Sequence, residues 1–159
     1  MDTMYYLLQA DDNEGYMFPD YHADTFESWV KLDKSKVDLN FKSPRRLDLS
    51  YTYDGYLIAS LRFFEFYQAN KLNGLNFISL DNPKFYVVQV LETLPLKEHN
   101  ENSLIEYHQY HKGYNEYFEV VCPNPDDFVL DSQNDFAKSD LAFGTGNQKS
   151  EEIFVKGTV

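Results

Sequence analysis

The stretch Glu106-Tyr107-His108-Gln109-Tyr110-His111, with His99 shortly upstream, gathers the residue types best suited to holding a transition metal. Imidazole and carboxylate both ligate zinc, and on a strand Glu106 and His108 project to one face by their two-residue spacing. His111 then points to the other face. A three-ligand site therefore needs His99 or Cys122 from elsewhere, or a bend that brings His111 round. Half-exposed strand histidines are the simpler reading, and a metal-dependent hydrolase built on His99, Glu106, His108 and His111 is kept as an alternative.

Paired carboxylates occur at Asp11-Asp12, Asp126-Asp127 and Glu151-Glu152. Acid and base roles depend on spatial separation and environment, so adjacency in sequence assigns neither. Calcium needs several oxygens converging in one loop, and the EF-hand spacing is missing from residues 11–21. Solvated acidic loops are the expectation, available to accept charge-assisted hydrogen bonds from Lys or Arg of a partner. Gly144-Thr145-Gly146-Asn147-Gln148-Lys149-Ser150 is superficially similar to a phosphate loop. The Walker spacing puts glycines where this chain has Gln148 and Phe143, so a hairpin or surface loop is expected. Gly-x-Ser-x-Gly is absent, Cys122 has no motif around it, and His22 stands alone in an acidic loop.

The elements that would position these groups are best marked between Ser60 and Glu92. Rotation of 100° per residue gathers Phe63, Phe64, Phe66 and Tyr67 into one broad sector of a helix, with Arg62, Glu65 and Gln68 on the other. Ser60 is placed to cap its start and Asn73-Gly74 to end it. Leu75 to Leu80 and Lys84 to Glu92 read as neighbouring strands around the turn Asp81-Asn82-Pro83. Upstream, Met4 to Gln9 reads as a strand, and Asp24-Thr25-Phe26-Glu27 as the cap of a short helix that buries Phe26, Trp29 and Val30. Lys34 to Leu49 reads as an extended connection. Downstream, Leu104 to His111 and Tyr117 to Cys122 form a hairpin, followed by shorter strand candidates at residues 127–130, 140–143 and 152–156. The expected class is α+β, an antiparallel β-sheet with two helices packed on it, in a single domain over residues 1–159.

Three segments, Ile58-Ala59-Ser60, Asn73-Gly74-Leu75-Asn76-Phe77-Ile78 and Ile153-Phe154-Val155, resemble the immunity proteins of bacterial polymorphic-toxin systems. The similarity spans roughly Tyr51 to Val159. The family pattern continues into a further helix after the Ile-Phe-Val strand, where this chain reads Gly157-Thr158-Val159. The resemblance implies a non-enzymatic inhibitor that occludes a cognate toxin domain, with no cofactor.

Composition agrees with a chain that folds on its own. Hydrophobic residues make up 43% of the 159 and aromatics 17%, too much packing material for a disordered chain. One cysteine excludes an internal disulfide and fits a reducing compartment. No apolar run approaches the ~20 residues of a membrane span, and Asp2 replaces the basic start of a signal peptide. A cytoplasmic location is expected. Fourteen Lys+Arg against 26 Asp+Glu give a net charge of −12, which repels nucleic acid and anionic membranes and attracts a basic partner. No Lys or Arg precedes Lys31. The expected docking residues are therefore Asp11, Asp12, Glu14, Tyr16, Asp20 and Tyr21, with Asp126 and Asp127 as a second patch. The aromatic excess leaves room for a homodimer surface, and a structural scaffold module is a further alternative.

Overall fold

Short runs of β-branched and aromatic residues, broken by Gly, Pro and Asn, lay this chain down mainly as antiparallel strands. A computed structural model describes residues 4–8, 11–13, 47–52, 56–80, 82–113, 115–145 and 149–157, with backbone alone at 11–13. The strands are β1 (Met4–Leu8), β2 (Asp11–Asn13), β3 (Leu49–Thr52), β4 (Leu57–Ser60), β5 (Leu75–Ser79), β6 (Phe85–Val90) and β7 (Thr93–Leu94). Four more follow: β8 (Glu106–His111), β9 (Glu116–Val121), β10 (Phe136–Thr145) and β11 (Ser150–Gly157). Helix α1 (Leu61–Ala69) follows β4 directly.

The strands form two sheets, where one was expected. The larger runs β1-β11-β10-β9-β8, with β7 pairing parallel to β10; the smaller runs β2-β3-β4-β6-β5. Every other pairing is antiparallel except the parallel pair β2 and β3. Both sheets feed one core. Leu57, Ala59, Leu75 and Val88 of the smaller sheet meet Phe136 and Ile153 of the larger, with Tyr67 of α1 among them. Strand alternation sends Ile58 and Val87 to the opposite face of the smaller sheet, where they cluster with Tyr56 and Leu80. On the other face of the larger sheet, Phe154 and Ala137 pack with Leu94, Val120, Phe128 and Phe143.

Helix α1 is capped as its sequence dictates, the Ser60 hydroxyl accepting the Phe63 amide at 3.1 Å. Its aromatic sector is narrower than expected. Tyr67 is buried and Phe64 stacks on Tyr86 at 4.6 Å, but Phe66 lies well off their direction and is 56% exposed. The helix also ends earlier, at Ala69, with Lys71 rather than glycine taking the left-handed conformation at φ 54°. Gly74 has a different task. At φ 97° it lets β5 approach β10 so closely that a Cβ would stand 2.3 Å from the Phe136 carbonyl oxygen.

Strand β10 is the largest departure from expectation, since it begins at Phe136 where only residues 140–143 were expected as a short strand. Lys138 and Ser139 stay inside the sheet because their polar groups are matched. Lys138 pairs with Glu151 at 3.2 Å, and the Ser139 hydroxyl donates to the Leu141 carbonyl and accepts the Glu152 amide across a register shift. Residues 127–130 are not a strand. Pro125–Asp127 forms a 3-10 turn capped by Asn124, and Phe128 makes a single bridge to Leu96. The helix expected at residues 24–32 lies outside the described residues, so α1 is the one α-helix among them. No helix of the described residues is long and apolar enough to cross a membrane.

Candidate functional site

Hairpin β8–β9 closes one edge of the larger sheet. Its loop runs through Lys112 and Gly113 to Asn115, whose left-handed φ of 53° suits an Asn turn residue. The register sets His111 opposite Glu116, Tyr110 opposite Tyr117 and Tyr107 opposite Val120. All six residues of β8 are exposed. Gln109 interrupts the edge with φ 57°, a conformation that costs a non-glycine residue about 1–2 kcal/mol and blunts the strand as a template for further pairing.

Three tyrosines meet on this hairpin. Tyr117 is the centre, with the Tyr107 and Tyr110 rings each 5.0 Å from it at interplanar angles of 50° and 54°. They remain open to solvent, Tyr107 by 41%, Tyr110 by 50% and Tyr117 by 37%. The Tyr110 hydroxyl donates a short hydrogen bond to Asn115 Oδ1. The Tyr107 phenol is held above its ordinary pKa, first by burial, then by the negative charge of Asp127, by Tyr117 and by Asp140. Acidic groups thus lie within electrostatic reach of the cluster.

A buried cation anchors the hairpin from behind. The Lys149 side chain is 2% exposed, and its Nζ donates to Glu116 Oε1 at 3.1 Å and to the Tyr117 carbonyl at 2.6 Å. Beside it, Thr145 at the end of β10 donates to Glu119 at 3.0 Å. Gly144 and Thr145 close β10 and Ser150 opens its antiparallel neighbour β11, so the stretch similar to a phosphate loop joins paired strands.

The residues singled out from sequence scatter. Asp11 and Asp12 lie on β2, beside Ser50 and Tyr51, while Glu14, Tyr16, Asp20 and Tyr21 lie outside the described residues. Asp126 is exposed. Asp127 is buried rather than displayed on the surface: it is 1% exposed, its Oδ1 accepts Asn100 Nδ2 at 2.5 Å, and its carbonyl accepts the Lys97 amide at 2.8 Å. The 3-10 turn tucks this carboxylate inward, so it ties the 95–100 segment to the sheet. Of the alternative metal set, Glu106 Oε2 and His108 Nε2 touch at 3.1 Å with both side chains about half exposed, and His99 and His111 are exposed. Among the described residues no three ligand side chains converge on a metal position. Cys122, also exposed, joins none.

A cleft of about 370 Å³ opens elsewhere, lined by Tyr51, Leu57, Val88, Gln89, Lys138, Glu151 and Ile153 among others. Three of its polar residues are occupied with one another. Lys138 pairs with Glu151, and the Tyr51 hydroxyl donates to the Glu151 carbonyl at 3.0 Å. Burial, then Glu152 and Glu151, push the Tyr51 phenol well above its usual range, so it stays a hydrogen-bond donor. Sequence reasoning passed over the tyrosine cluster, although counting back from the loop at 112–115 already sets Tyr110 against Tyr117.

Comparison of the chain with family models, with curated proteins and with solved structures gives no match.

Proposed function

We propose that the chain is a non-enzymatic, cytoplasmic binding protein of the immunity type, which neutralises a basic toxin domain by covering its active surface. The observation that carries this reading is the β8–β9 hairpin, where three exposed tyrosines sit on a sheet edge within reach of carboxylates. Aromatic anchors of this kind dominate interface energies, and an acidic surface accelerates the encounter with a cationic partner. The net charge of −12 gives that acceleration over the whole chain and works against pairing with a second copy. The resemblance of Ile58-Ala59-Ser60, residues 73–78 and Ile153-Phe154-Val155 supports the same class. Those segments fall in β4, at the start of β5 and in β11, where they help build the two sheets.

The test is protection. Cells expressing a basic toxin domain encoded beside this chain are expected to survive when the chain is co-expressed, and the two proteins to co-purify as a stoichiometric complex. Survival lost without any complex would overturn this reading, and turnover of a substrate with metal retained after dialysis would replace it with the hydrolase alternative around Glu106, His108 and His111.

A further inference from the structure

We infer that Tyr107, Tyr110 and Tyr117 form a platform for an arginine or lysine side chain presented by a basic protein partner. This rests on the binding reading above and narrows it to one contact chemistry. The rings are tilted against one another by 50° and 54°, and more than a third of each residue is open to water. Tyrosine faces carry negative potential and attract cations. The hairpin contributes Glu106 and Glu119 against Lys112, its Glu116 being paired with Lys149, and Asp127 and Asp140 add their field at Tyr107. That charge repels an acidic segment or a second copy of this chain and favours a cationic head. Arginine suits the site better than lysine, because a planar guanidinium stacks on a ring and still bonds a carboxylate at its edge.

The platform is also held in place before binding. Asn115 fixes the Tyr110 hydroxyl, and Lys149 holds the Tyr117 backbone. A prearranged contact loses little conformational freedom on association, which favours slow release.

The experiment is an NMR titration of the full chain, with labelled tyrosine rings, against a nona-arginine peptide, its lysine counterpart and its neutral citrulline counterpart. Ring signals of Tyr107, Tyr110 and Tyr117 are expected to move with arginine, less with lysine and not with citrulline. Tyr117→Leu should weaken arginine binding about fivefold to thirtyfold, while Tyr117→Phe, which keeps the ring, stays within about threefold. Tyr107→Leu provides a second variant should Tyr117→Leu disturb the hairpin's amide spectrum. Unchanged affinity in both leucine variants, or shifts spread over other acidic loops, would overturn the assignment. Movement of the same rings on raising protein concentration without peptide would place a second copy there and overturn it too. Toxin protection that survives both leucine variants sinks this contact and leaves the inhibitor reading standing. Arginine binding without protection does the reverse.

Discussion

Two clusters of aromatic rings in this molecule are built alike and used differently. Between the sheets, Tyr67 lies 5.0 Å from Phe77 and 6.0 Å from Phe136, with Phe63 at 6.4 Å from both phenylalanines; Tyr67 and Phe136 are buried and the other two rings half-buried. On the β8–β9 hairpin, Tyr107, Tyr110 and Tyr117 pack at the same 5.0 Å spacing and stay wet. Ring contacts alone therefore do not separate core from surface. The difference lies in what holds each cluster. Apolar side chains from both sheets surround Tyr67, whereas one buried cation, Lys149, secures the hairpin through Glu116 and a backbone carbonyl. The first cluster is stabilised by area removed from water and the second by a few directed bonds, which leaves its rings available.

Substitutions that strike one cluster and spare the other test this contrast. Phe136→Ala removes a ring to which both sheets and α1 contribute neighbours, and it should cost about 4 kcal/mol, read as a lower midpoint in urea unfolding. Gly74→Ala sets a methyl against the Phe136 carbonyl at a backbone conformation alanine avoids, for a loss of about 3 kcal/mol by the same measurement. Lys149→Ala should cost about 2 kcal/mol, because Glu116 is 38% exposed and rehydrates when its partner goes. Its amide shifts should cluster on β8 and β9, and a loss spread evenly over the core would break the contrast.

The smallest effect is electrostatic. Burial holds the Glu152 carboxyl above its ordinary pKa, so folding favours its protonated form. The resulting stabilisation is complete below the unfolded value and is lost as pH rises through the raised folded value. Glu152→Gln should consequently raise the melting temperature at pH 7, with the advantage closing as pH falls toward 4. Glu92 behaves in the opposite sense. A hydrogen bond from Ser132 is the main cause that lowers its pKa, so its contribution is present above the ordinary carboxyl range and fades as pH drops through the lowered value.

Much of the local structure was legible in the residues. Ser60 announced the helix cap, Leu75 to Ser79 and Phe85 to Val90 announced themselves by β-branched and aromatic content, and the β8–β9 hairpin by its Gly-containing loop. The first half of strand β10 was hidden because Lys138 and Ser139 look like loop residues until their partners across the sheet are known. The same holds for Asp127, a carboxylate that seems made for water and is enclosed by its own turn. The second sheet escaped notice since pairing between distant strands, such as Met4 with Gly157, leaves no trace in local periodicity. The tyrosine cluster was overlooked because attention to ligand chemistry favoured the histidines between its members.

Strands β1 and β11 lie side by side, with Tyr5 against Lys156 and Met4 against Gly157. Strand β1 occupies the margin opposite β8, four inter-strand steps or about 19 Å away, and β11 lies three steps or about 14 Å away. A fluorescent label or affinity handle joined near residue 4 or residue 157 would thus emerge away from the tyrosines.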